Sequence, residues 1–152
     1  MMFHLARPED LDSLMPVIRD FHRHFGFNWD EDGKRRLLAS FLGRPELGQL
    51  WVATLDGRIA GYALAPFYFS IEFDGTVALV DEFYLVPKYR GQGAGGRLLR
   101  EILAGLRADG IGVVRLEVDG RHPEASTLYA RLGFVRDGRE AWTKRFEIAK
   151  SQ

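Results

Sequence analysis

The chain contains no cysteine. It therefore carries no disulfide framework, no thiolate metal site and no cysteine nucleophile. It has no charge surplus either, because 21 Lys and Arg stand against 21 Asp and Glu. Nucleic-acid binders usually show a basic excess or a clustered basic stripe, and disordered chains combine low hydrophobicity with large net charge. Neither description fits a balanced chain that is 46% hydrophobic. No stretch approaches the ~18 apolar residues of a membrane span. The segment Met1 to Asp10 lacks the basic stretch and apolar run of a secretory leader. A cytoplasmic protein with neither membrane nor nucleic-acid partner is expected. Histidine is scarce, at 4 residues. His22 and His24 stand two apart and share no helix face, and His4 has no partner in sequence, so no metal site is expected.

What is present suits one compact domain over residues 1–152, a length able to bury roughly 70% of the unfolded chain's surface. Phe3 and Leu5 suggest a short strand, and Pro8 fits the first turn of a helix, where its missing N–H costs nothing. Leu11, Leu14, Ile18, Phe21 and Phe25 then recur at helical spacing. After an acidic, aromatic linker from Asn28 to Asp32, Leu37, Leu38, Phe41 and Leu42 predict a shorter helix ended by Gly43 and Pro45. Residues 50–55 and 58–64 read as a hairpin about Asp56-Gly57, a pair suited to a two-residue turn with positive φ. Val77 to Val86 predicts one further strand closed by Pro87, which cannot donate to a ladder. Leu98, Leu99, Ile102, Leu103 and Leu106 predict a helix, Val113 to Val118 a strand, Ala125 to Leu132 a helix, and Trp142 to Ile148 a final alternating strand. The expected class is α/β: a mixed, mostly antiparallel sheet of about six to seven strands with helices on both faces.

Between the strand closed by Pro87 and the next helix lies Arg90-Gly91-Gln92-Gly93-Ala94-Gly95-Gly96. Glycines let backbone approach a ligand closely, and a helix starting there points unpaired N–H groups at the same spot. A phosphate is the natural occupant. The Walker A pattern fails because Arg97-Leu98 stands where Lys and Ser or Thr are required. The dinucleotide pattern passes on Gly91, Gly93 and Gly96, with Glu117 21 residues further on. Its context opposes it: Pro87-Lys88-Tyr89-Arg90 separates the glycines from the strand, and 56 residues after Gly96 are few for a parallel sheet.

A third pattern fits better. Arg90 to Gly95 matches Gln/Arg-x-x-Gly-x-Gly/Ala, led in by Leu85-Val86-Pro87-Lys88-Tyr89-Arg90. A second motif, His122-Pro123-Glu124-Ala125-Ser126-Thr127-Leu128-Tyr129-Ala130-Arg131-Leu132-Gly133-Phe134, is close to Asn-Pro-x-Ala-x-x-Leu-Tyr-x-x-Leu-Gly-Phe. With both motifs the chain resembles the GNAT superfamily of acyl-coenzyme-A-dependent N-acetyltransferases, over nearly its whole length. The resemblance implies that Arg90, Gly91, Gln92, Gly93, Ala94, Gly95 and Gly96 hold the coenzyme A pyrophosphate, mostly through backbone amides. It implies that Phe83, Tyr84, Leu85 and Val86 offer strand backbone to pantetheine, and that Tyr129 protonates the leaving thiolate. A phenol of pKa near ~10 keeps its proton at pH 7 and can serve as a general acid; the competing reading is that Tyr129 only packs its helix. His122 stands in place of the usual Asn and can still make one hydrogen bond to the coenzyme.

Val80-Asp81-Glu82-Phe83-Tyr84-Leu85 is similar to the diamine and polyamine acetyltransferase branch, which implies a proton acceptor at Asp81 or Glu82, with Asp81 favoured. Strand alternation sends the two side chains to opposite faces. The alternative for them is a salt-bridged structural pair. The implied reaction is transfer from acetyl-CoA to a primary amine of a small molecule by direct attack in a ternary complex. Phe25, Phe27 and Trp29 beside Asp30, Glu31 and Asp32, with Glu72 and Asp74, suggest a negative aromatic cleft for a cationic amine. The alternative is a solvated acidic loop with aromatics plugged into the core. The rival function is a non-catalytic domain of the same fold that binds an acyl-coenzyme A or a protein. Exposed strands near the C-terminus point to a homodimer.

Overall fold

The structure, a computed structural model, describes residues 1–120 and 123–148. The chain divides into two compact units, Met1–Glu117 and Val118–Gln152. The first unit contains strands β1 (Met2–Leu5), β2 (Gly48–Leu55), β3 (Arg58–Ser70), β4 (Gly75–Val80), β5 (Glu82–Leu85) and β6 (Val113–Leu116), with helices α1 (Leu11–His24), α2 (Glu31–Leu42) and α3 (Ala94–Ala108). The sheet is six-stranded in the order β1-β2-β3-β4-β6, with β5 also on β3. Among the described residues only the β4–β6 pair is parallel, so the mixed, mostly antiparallel sheet expected from sequence is the one observed.

Each helix is built by its apolar spacing. Leu14, Ile18 and Phe21 of α1 pack on Leu50, Val52, Tyr62 and Tyr84 of one sheet face. Leu38, Phe41 and Leu42 of α2 join them, whereas Leu37 is exposed, contrary to the expected four-residue stripe. Leu98, Ile102 and Leu106 of α3 cover Ala53, Ala63 and Ala78 on the other face. Leu55 pairs with Arg58, and Asp56 and Gly57 have φ of 51° and 71°, so the predicted two-residue turn forms with positive φ at both central residues.

One contact on the α3 face fixes a glycine. A Cβ on Gly105 would lie 2.5 Å from Cζ2 of Trp51 and 2.7 Å from Cη2. The indole cannot swing aside freely, because its Nε1 donates to Gln49 Oε1 at 2.9 Å and Gln49 donates to Asp109 at 2.6 Å. Ala in place of Gly normally favours a helix by about 1 kcal/mol, but overpacking costs about 1–3 kcal/mol. We expect Gly105→Ala to lose about 1 kcal/mol in urea unfolding and Gly105→Leu to lose more. A stabilised Gly105→Ala would show that Trp51 moves at little cost.

The single strand expected over Val77–Val86 is two. Between the pairs Phe67↔Ala78 and Leu64↔Glu82, β3 advances three residues while its partner advances four. The extra residue is Asp81, whose N–H bonds the Leu64 carbonyl at 2.9 Å. This is a β-bulge, which bends the strand and breaks the alternation of side chains. Two other expectations change. The strand from Val113 stops at Leu116, and residues 142–148 form no strand. Alternation gives a segment two faces but supplies no ladder partner, and a strand needs both.

In the second unit, α4 (Glu124–Arg131) ends at Gly133, which has φ of 87°. Gly133 N–H bonds Ala130 O at 3.1 Å and Phe134 N–H bonds Tyr129 O at 3.0 Å. That pair of bonds around a left-handed glycine is a Schellman end, whose usual apolar contact is supplied by Phe134 against Tyr129, with ring centroids 6.0 Å apart.

Candidate functional site

The glycine segment forms the approach to α3. Gly91 and Gly93 have φ of 76° and 72°, and Gly93 is the N-cap of the helix. No side chain caps that end, so the N–H groups of the first turn remain directed outward with the positive end of the helix dipole. A Cβ at Gly91 would meet nothing within 4 Å. What requires glycine there is backbone conformation, not crowding within the protein. Arg97 reaches back to the Gln92 carbonyl at 3.3 Å, and Lys88 lies over the Tyr89 ring at 4.6 Å. The arrangement is an uncapped helix start behind a left-handed glycine turn with cations beside it, which suits a pyrophosphate.

Beside it runs β5. Val86 N–H bonds Ala60 O at 2.9 Å, and Gly61 faces Leu85. By the alternation of an antiparallel ladder, the N–H and C=O of Phe83 and Leu85 face away from β3. On that side β6 pairs only with Val77–Val80, so among the described residues no strand covers β5. The Leu85 carbonyl accepts from Arg90 Nε at 2.8 Å, and the Arg90 guanidinium lies 5.2 Å from the Tyr84 ring centroid. Side chains of Phe83 and Leu85 pack on the α3 side, while Tyr84 and Val86 pack on the α1 side. The strand therefore offers backbone alone.

At the bulge, the regular alternation that would set Asp81 and Glu82 on opposite faces is interrupted by the extra residue. Asp81 is exposed. Glu82 turns toward α1, where Oε1 meets His22 Nε2 at 2.9 Å and Oε2 accepts from Tyr62 Oη at 2.7 Å. Tyr62 is fully buried and His22 is 7% exposed. The sequence reading set His22 aside as a poor metal partner and missed this contact. The signal it lacked was pairing across 60 positions, which no local spacing encodes. The aromatic linker closes over the same imidazole, with Phe27 and Trp29 edge-on at 5.5 and 5.4 Å and Trp29 Nε1 donating to Glu31 at 2.8 Å.

Burial pushes the Tyr62 hydroxyl well above its ordinary pKa, and the negative charges of Glu82 and, less strongly, Asp81 add to the shift. Protonated Tyr62 thus contributes stability that is fully present below the unfolded value of ~10 and is lost as pH rises past it. In a phenolate absorbance titration, we expect fewer than the chain's 5 tyrosines to ionise until alkaline unfolding begins. Ionisation of all five in the folded protein would contradict that.

In the second unit, Tyr129 sits on α4 with its hydroxyl pKa raised by burial. It therefore stays protonated at neutral pH. His122 lies outside the described residues. Among the described residues no helix is long and apolar enough to cross a membrane.

A bulged strand thus stands beside a glycine turn at a helix start. Residues 14–134 match the Acetyltransferase (GNAT) family, and the chain belongs to it. A mycothiol acetyltransferase of Nocardia farcinica is 37% identical over 112 residues, 73% of this chain and 33% of that protein. The chain likewise spans 60% of the length of an uncharacterised N-acetyltransferase of Mycobacterium bovis. An integron cassette protein from the mobile metagenome of Cole Harbour Salt Marsh has a TM-score of 0.85 at 26% identity, over 96% of this chain and 91% of that one. A predicted acetyltransferase of Clostridium acetobutylicum solved with acetyl-CoA shares the fold, with a TM-score of 0.78 at 16% identity over 94% of this chain and 95% of that one.

Proposed function

We propose that the chain acts as one acetyltransferase domain, carrying acetyl from acetyl-CoA to the primary amine of a small molecule by direct attack in a ternary complex. The observation that supports this most is the uncapped start of α3 behind left-handed Gly91 and Gly93, next to the uncovered edge of β5. Amides of Gln92 to Gly96 grip the pyrophosphate in this reading, with Arg90 and Gly91 shaping the turn and His122 adding one hydrogen bond. Pantetheine extends along Phe83–Val86 and pairs with the outward backbone groups of Phe83 and Leu85. An ammonium must lose its proton before attack, and Asp81 and Glu82 at the bulge supply the acceptor. Tyr129 returns a proton to the departing thiolate. A ping-pong route through cysteine is closed to a chain without one.

For the acceptor we propose a cationic amine, including di- and polyamines. Its support is the proximity of Trp29, Phe27 and Glu31 to the Glu82 carboxylate through His22. Calorimetric titration with acetyl-CoA followed by an amine panel with thiol detection tests the reading, and the protein adds no thiol background of its own. No coenzyme binding removes it. Binding without turnover on any amine leaves the non-catalytic acyl-coenzyme A domain.

A further inference from the structure

We infer that His22, with Tyr62, positions Glu82 as the group that takes the proton from the acceptor amine; this rests on the acetyl-transfer reading above. The three residues come from three elements, α1, β3 and β5. Both oxygens of Glu82 are engaged, Oε1 by His22 Nε2 at 2.9 Å and Oε2 by Tyr62 Oη at 2.7 Å. An ionised carboxylate can only accept, so the tyrosine donates and the imidazole places its hydrogen on Nε2. His22 Nδ1 is buried and has no partner. As a bare lone pair it is tolerable there, whereas an Nδ1–H would be a buried donor with nothing to meet. The network therefore places a His22 hydrogen on Nε2, aimed at Glu82.

Such a clamp does two things. It holds one rotamer of a side chain that otherwise has three free torsions, and it leaves lone pairs on a carboxylate that is still 16% exposed, next to the point where the β4–β6 pairing ends. Misplacement of a reacting group by about 1 Å can cost ~10²-fold. Asp81 has no comparable restraint, since it is exposed. The resemblance in sequence favours Asp81 as the acceptor, but the clamp singles out Glu82. His22 touches neither substrate nor coenzyme in this account; it acts through Glu82.

The test is steady-state kinetics on the full chain with acetyl-CoA and an amine that the wild type acetylates. His22→Leu fills the space and removes the donor, whereas His22→Gln keeps an N–H of similar reach. We expect His22→Leu to lower kcat by about 10²-fold, with the KM for acetyl-CoA and the melting temperature near wild type. His22→Gln should recover most of that loss. In a Glu82→Gln background, His22→Leu should cost little more, because two changes acting through one group are not additive. Wild-type kcat in folded His22→Leu overturns the inference. So does full additivity with Glu82→Gln, or a Glu82→Gln enzyme that stays active while Asp81→Asn does not. A wild type that binds acetyl-CoA but acetylates no amine defeats the transfer reading itself and this inference with it. That outcome is told apart by the behaviour of the unmutated protein.

Discussion

Tyr129→Phe is expected to lower turnover by about 10²–10⁴-fold, the usual range for a positioned general acid, while the affinity for acetyl-CoA stays within about twofold. The substitution removes one hydroxyl and leaves the ring. The Schellman end of α4 is held by backbone bonds from Gly133 and Phe134, and the ring contact with Phe134 survives, so the helix should keep its shape. Burial raises the pKa of this phenol, which keeps its proton in place at neutral pH, as the proposed acid role requires. The informative comparison is kcat with a natural thioester against kcat with an activated one whose thiolate needs no proton. The deficit should shrink with the second. Equal deficits would make Tyr129 a packing residue, and unchanged turnover would remove it from the mechanism.

The parts of the fold that were legible in sequence are those governed by local periodicity. The spacing of Leu14, Ile18 and Phe21 predicts a buried helical stripe, and the three are 0%, 4% and 7% exposed. The Asp56-Gly57 turn was readable because positive φ at both positions is a local demand met by few residue pairs. The motif ending Leu132-Gly133-Phe134 has a local cause as well, the left-handed glycine with an aromatic behind it.

What sequence could not give was pairing. Residues 77–86 form one apolar run, yet β3 takes both halves of it around an extra residue at Asp81, and only the register reveals the break. The same bulge sets Glu82 against the Tyr62 hydroxyl on the α1 side of the sheet. His22 looked inert from its neighbours on α1, because its partner arrives from another strand. The candidate site is thus local in its phosphate-facing half and long-range in its carboxylate half. The balanced net charge divides in the same way. Lys88, Arg90, Arg97 and Arg100 flank the glycine turn in sequence, while Glu31, Asp81 and Glu82 belong to the other half.

The phosphate-facing half can be tested without any acceptor amine. Gly93→Val should weaken acetyl-CoA binding by about 10–100-fold in calorimetry. A Cβ at Gly93 would lie 3.8 Å from Arg97 Nη1, an ordinary contact, so crowding is not the cause. The cause is φ of 72° at the N-cap of α3, a conformation in which a β-branched residue is a true outlier. Left-handed backbone costs about 1–2 kcal/mol outside glycine. If the turn relaxes to relieve that strain, the amides of Ala94 to Gly96 no longer converge, and each 1.4 kcal/mol lost from binding is about tenfold in affinity. Gly110 provides the control, because it has φ of 82° just beyond the C-terminal end of the same helix. Gly110→Val should lose comparable stability with coenzyme affinity unchanged. Equal loss of affinity in both variants would mean that strain anywhere in α3 loosens the protein, whereas loss confined to Gly93→Val ties the left-handed turn to the pyrophosphate.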